Sequence, residues 1–168
     1  MSDQSYEIAR QVIQKYFSDR FLDPTTNAPW RDAGNNLIEV EYPNHILSDQ
    51  EGTSNNPWCR FRITHGSAQP ADVGNYREDI PGEMALQIFL PEDTGVKLGR
   101  QIADSVRAFM RNITLETPDG VIQFRTISVR ELLPDQGWDQ TLVVCPFVRY
   151  IYETTPYAPG GFFVPYPP

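Results

Sequence analysis

Residues 82–110 read GEMALQIFLPEDTGVKLGRQIADSVRAFM. Met84, Leu86, Ile88 and Leu90 fall at every second position, the spacing that puts apolar side chains on one face of a strand. Pro91 ends the alternation, and Glu92, Asp93 and Thr94 supply acidic and capping chemistry. The period then changes to three and four through Leu98, Ile102, Ala103, Val106, Phe109, Met110 and Ile113. The stretch predicts a strand running into a long amphipathic helix over about 95–112.

Upstream, Trp58–His65 alternates as cleanly: Cys59, Phe61 and Ile63 share one face, and Arg60, Arg62 and Thr64 share the other. This predicts a strand with one wet or partner-facing side. Between the two strands lies GSAQPADVGNYREDIPG, residues 66–82, with three glycines and two prolines in 17 positions. Such a length exceeds an idle turn and predicts a long β-hairpin or functional loop, with Asp72, Arg77, Glu78 and Asp79 as a polar recognition surface. Nearer the start, Ile38, Val40 and Tyr42 oppose Glu39 and Glu41 in a short strand, flanked by loops at 23–36 and 43–57. Ile8, Ala9, Val12, Ile13, Tyr16 and Phe17 repeat at helical spacing within residues 3–20.

Downstream, Asp119-Gly120 marks a turn into a strand from Val121 to about Leu132, and a last strand spans Thr141–Tyr152. Pro146 lacks a ladder donor, which places that last strand at an edge or a bulge. The expected fold class is α+β: one domain over 1–153, a mostly antiparallel sheet with two α-helices packed on one face. Residues 154–168, TTPYAPGGFFVPYPP, form an uncharged tail with five prolines and the rings of Tyr157, Phe162, Phe163 and Tyr166. So apolar a terminus is expected to wrap on its own domain or dock on a partner.

With 168 residues the chain has room for one core of ordinary size. Its 15 prolines, about 9 % against a usual ~5 %, exclude a fold built mainly from long helices. A net charge of −8 repels a phosphate backbone, so no nucleic-acid specificity is expected. Cys59 and Cys145 are too few for a disulfide scaffold and fit a reducing compartment. No apolar run approaches a membrane span, and the first residues lack a leader pattern, so no membrane partner and a host cytoplasm are expected.

No catalytic constellation stands out. His45 and His65 are the only histidines and neither lies in a nucleophile elbow or a Cys-His signature, so His65 reads as a structural or surface residue. Glu78, Asp79 and Glu83 have no histidine beside them to make a metal site, and no cofactor is expected. Gly95 and Gly99 could cradle a phosphate at a helix start, but Glu92 and Asp93 would repel it; close packing of the helix on the sheet is the better reading.

The outer helix face carries Lys97, Arg100, Arg107 and Arg111 with Asp104 between them, in one stripe. A solvated face with internal ion pairs explains such a stripe by itself. Against it stands the segregation of charge: residues 72–93 hold Arg77 among Asp72, Glu78, Asp79, Glu83, Glu92 and Asp93. Opposite patches on one subunit suit head-to-tail self-association, with the stripe and Glu83, Glu92 and Asp93 at the subunit interface.

Residues 82–110 resemble the tail-terminator, or tail-completion, proteins of long-tailed bacteriophages and prophages. In that family a strand after a long loop leads through a Gly-containing turn into a helix, here the one with Ala103-Asp104-Ser105-Val106. The similarity extends over about residues 5–152. It implies a non-enzymatic virion subunit, assembled in the host cytoplasm, that closes into a ring, a hexamer, on the finished tail tube. Its partners would be itself, the tail-tube protein and the head-tail connector. Two other readings stay open at this stage: a connector or stopper of the neck, and a small monomeric binding module using Arg60 and Arg62. An enzyme would require acids clustered with His65.

Overall fold

The alternation that begins at Met84 extends further than the sequence suggests. In the computed structural model, which describes residues 3–43, 56–71, 77–92 and 96–152, strand β6 spans Arg77–Pro91. It pairs antiparallel, without a register shift, along the whole of β10 (Trp138–Tyr152). Two strands of 15 residues are each roughly 50 Å long at ~3.4 Å per residue.

Each long strand is flanked on its far side by two shorter ones placed end to end. β4 (Trp58–His65) and β5 (Gln69–Pro70) pair with β6. β9 (Ser128–Asp135) and β8 (Gly120–Phe124) pair with β10. All these pairs are antiparallel, as is β7 (Thr114–Thr117) with β8. At the other end β3 (Glu39–Glu41) runs parallel to β4, so the eight-stranded sheet is mixed.

Four expectations need correction. Arg77, Glu78 and Asp79, expected in the 66–82 loop, belong to β6. The strand expected from Val121 to Leu132 is two strands, broken at 125–127. The loop at 23–36 holds a small hairpin of β1 (Leu22–Asp23) and β2 (Ala28–Pro29), turning at Asn27 with φ 52°. Finally, β10 with Pro146 is neither an edge nor bulged at that residue: it is central.

The placement of the two strand prolines has one explanation. A strand residue points its N–H and C=O to the same side. The carbonyl of Pro146 accepts from Arg125 N–H at 2.8 Å, so its donorless nitrogen faces the break between β8 and β9. The carbonyl of Pro81 accepts from Gly66 N–H at 2.7 Å, so its nitrogen faces the break between β4 and β5. Both prolines thus sit where the neighbouring ladder is interrupted, and neither costs the β6–β10 ladder a bond.

One face of the sheet forms the apolar floor. Register aligns Phe61, Leu86 and Val143 across three strands, and Ile63, Met84 and Cys145 beside them. Helix α1 (Asp3–Ser18) buries Ala9, Ile13 and Phe17, and Phe17 meets the Phe61 ring at 4.8 Å. Complete burial of such a ring contributes about 3 kcal/mol. Helix α2 (Lys97–Met110) buries Gly99, Ile102, Ala103, Val106 and Met110. A Cβ at Gly99 would stand 3.0 Å from Leu90 and 3.2 Å from Thr141, so the helix does pack closely on the sheet there. Tyr16 donates its hydroxyl hydrogen to the Phe109 carbonyl at 3.1 Å and ties the two helices together.

Gly82 is a strand glycine rather than a loop hinge. A Cβ there would fall 2.3 Å from the Phe147 ring and 2.9 Å from the Thr64 carbonyl oxygen. Gly82→Ala is therefore expected to lower stability by about 1–3 kcal/mol, read as a lower urea midpoint with unchanged slope; an unchanged midpoint would mean that Phe147 moves aside freely.

Candidate assembly surfaces

The stripe on α2 is exposed as expected: Lys97, Arg100, Arg107 and Arg111 all face solvent, with Asp104. Arg100 is already engaged. Its guanidinium lies 2.7 Å from Glu131 of β9, which holds the Glu131 carboxyl below the usual carboxylate range through the hydrogen bond and the opposite charge. Both groups are more than half exposed, so the pair adds little stability, but it aligns β9 beside the helix. Among the described residues Lys97, Arg107 and Arg111 have no ion pair.

The expected acidic partners are scattered over β6 and its ends. Glu83 is exposed on the sheet face opposite Met84, and Glu92 is exposed where β6 ends, its N–H donating to the Gly137 carbonyl at 3.0 Å. Arg77 turns to its own strand, 2.9 Å from Asp79 and over the Tyr150 ring. Asp72, Asp93 and the tail rings Tyr157, Phe162, Phe163 and Tyr166 lie outside the described residues.

The structure brings together a polar cluster that the sequence does not announce. Arg60 and Arg62 share the outer face of β4, as the alternation requires, and both bond Glu41 of β3. Glu41 is only 5 % exposed. A carboxylate so buried would be costly alone, and two guanidiniums supply the compensating charge. Trp58 stacks on Phe89 at 4.1 Å with the planes 5° apart, and Arg60 lies over the Trp58 ring. Only a parallel β3–β4 pairing puts Glu41 beside Arg60, and no local signal reveals such a partner 19 residues away.

A second cluster surrounds Arg149, which is fully buried and donates to Asp119 at 2.6 Å. His65 packs between the rings of Tyr6 and Phe147, within reach of the Arg149 charge. Burial, and then the Arg149 cation, holds the His65 imidazole below its ordinary pKa. Burial between the two rings and the nearby cation both favour the neutral imidazole.

Cys59 and Cys145 are buried free thiols. Burial pushes both up, Cys145 to about 12 with Glu83 adding to the effect, so neither is ionised as a nucleophile needs. Among the described residues no three His, Cys, Asp or Glu side chains gather as a metal site. No helix among them is long and apolar enough to cross a membrane.

Two further surface features flank α2. On one side, a groove of about 420 Å³ is lined by Asp23, Pro24 and Trp30 at the β1–β2 hairpin and by Gln101, Asp104 and Ala108 of the helix. On the other, β9 exposes Val129, Leu132 and Leu133, the last 87 % exposed.

Because the folded imidazole of His65 resists protonation, the unfolded chain takes up the proton first as pH falls below ~6.5. Stability is therefore lost on acidification through that range and down through the depressed folded value. His65→Phe keeps the ring contacts and removes the proton. The drop in thermal midpoint between about pH 7.5 and about pH 5.5 should shrink in the variant; an identical drop would show that His65 does not govern it.

No curated protein matches the chain. A solved structure without a functional name is similar in fold, with a TM-score of 0.64 at 15 % identity over 88 % of this chain and 97 % of its own. The family described as phage tail terminator protein matches residues 24–147, which include both long strands up to Phe147, α2 and the polar cluster on β4. The chain therefore belongs to the phage tail terminator family, a family of structural components of the phage tail.

Proposed function

We propose that this subunit closes with copies of itself into a ring, a hexamer, on the end of the completed tail tube. The ring stops tube polymerisation and presents its other side to the head connector. Both helices cover one face of the sheet in this reading and leave the opposite face, the strand ends and the flanks of α2 for neighbours. The observation that carries it is the exposed stripe of Lys97, Arg107 and Arg111, cations without an ion pair among the described residues in a chain of net charge −8. Acidic surface for them to meet is abundant on any second copy. Such a contact joins two different patches, is heterologous, and closes into a ring when the rotation per subunit allows.

The monomeric binding module loses its support, since Arg60 and Arg62 already serve Glu41. In the tail-completion reading, residues 66–76 with Asp72, and the start of β6 with Arg77, Glu78 and Asp79, face the tail-tube protein.

Mass in solution and negative-stain images should show rings with a central hole. A monomer at the highest attainable concentration, in low and high salt alike, overturns the proposal. Arg107→Glu with Arg111→Glu should shift the assembly toward monomer with unchanged circular dichroism, because exposed arginines contribute little to folding.

Tube recognition is tested separately. Replacing residues 71–76 by a Gly-Ser linker should leave rings intact while capping of tail tubes is lost; normally terminated tails would remove this segment from the contact.

A further inference from the structure

The core draws on one face of the long ladder. Met84, Leu86, Ile88 and Leu90 of β6 and Val143, Cys145 and Phe147 of β10 all belong to it. The residues between them point to the other face. There the register lays Leu142, Val144, Pro146 and Val148 of β10 beside Gln87, Ala85, Glu83 and Pro81 of β6. None of these belongs to the core cluster. From Leu142 to Val148 this strip of β10 carries no charge, and it runs on through Tyr150 to Tyr152 on the same face. Glu83 is the single charge among its β6 neighbours and is exposed. A continuous apolar strip of this kind marks a surface that something covers.

We propose that the strip is the seat of the chain's own tail, residues 154–168, folded back over this face from the end of β10. Position argues for this occupant: β10 ends at Tyr152, which is one end of the strip. Length agrees. Leu142, at the far end, lies ten residues back along the strand, about 34 Å at ~3.4 Å per residue. The fifteen residues of the tail span about 46 Å if extended at ~3.1 Å each, which leaves several for the reversal. Chemistry agrees as well. The tail has no charge, so it asks for no ionic partner on a strip that offers none. The rings of Tyr157, Phe162, Phe163 and Tyr166 supply apolar area, and the five prolines reduce the entropy lost when it is ordered. Outside the described residues, the one other stretch longer than five residues is 44–55, which carries Asp49 and Glu51 and no Phe, Tyr or Trp. The tether selects the same copy over a second one. A segment joined directly to β10 meets its own strip at an effective concentration on the order of millimolar. The contact does not depend on the ring reading; a neighbour approaching this face would meet the tail rather than bare sheet.

Photocrosslinking of the full chain tests this. A benzophenone side chain replaces Phe162 in one variant and Tyr157 in another, and the irradiated protein is an equal mixture of light and heavy isotope-labelled copies. Links should map to Leu142, Val144, Val148 or their β6 neighbours, with both linked peptides of one isotope. Val148→Glu puts a charge on the strip and should cut the yield about tenfold. Leu133→Glu, on the exposed edge of β9, should leave the yield unchanged. Links of mixed isotope would assign the tail to a second copy and overturn the proposal. So would links to other surfaces, no link from either position, or a yield that Val148→Glu does not change. If Val148→Glu fails to fold, judged by circular dichroism, the mapped links decide alone. None of these results touches the ring reading, which solution mass tests separately.

Discussion

The unbroken pairing of β6 with β10 is the constraint on which the rest of the structure depends. Fifteen residues on each strand stay in one antiparallel register from Arg77 opposite Tyr152 to Pro91 opposite Trp138. A shift by one residue would turn Met84, Leu86, Val143 and Cys145 to the wrong face, so their burial holds the register in place. Every other strand of the large sheet is positioned, directly or through one neighbour, by this pair.

A ladder of this length must be flanked by shorter strands, and the breaks between those strands are where the local chemistry is spent. Pro81 and Pro146 face the two breaks, Gly82 lets the Phe147 ring lie across the strand, and Gly120 lets β8 approach the Tyr150 carbonyl, where a Cβ would come within 1.8 Å. Residues that usually end strands here mark the points where one neighbour stops and the next begins. The outcome is a wide, eight-stranded mixed sheet.

Charge is sorted by depth. Glu41 and Arg149 are nearly or fully buried, and each is held by opposite charge: Glu41 by two arginines, Arg149 by Asp119. These pairs fix strand placement and are weak as stabilisers in themselves. The charges of α2, by contrast, stand exposed on its outer face.

The sequence by itself determined both helices, strand β4 to the residue, the strand leading into α2, the packing role of Gly99, the exposure of the basic stripe and the family. Those features are written in the period of neighbouring side chains, which local geometry sets. It did not reveal that β6 begins at Arg77 or that β10 is central, because Pro and Gly by their local habit are strand breakers. Their cost depends on which side the missing donor faces, and only the placement of β4, β5, β8 and β9 decides that. Nor did it reveal the parallel β3–β4 pair, the burial of Glu41 under Arg60 and Arg62, or the Arg149–Asp119 pair. A charged residue reads as solvent-facing until a partner distant in the chain arrives to replace the water, and tertiary structure alone supplies that partner.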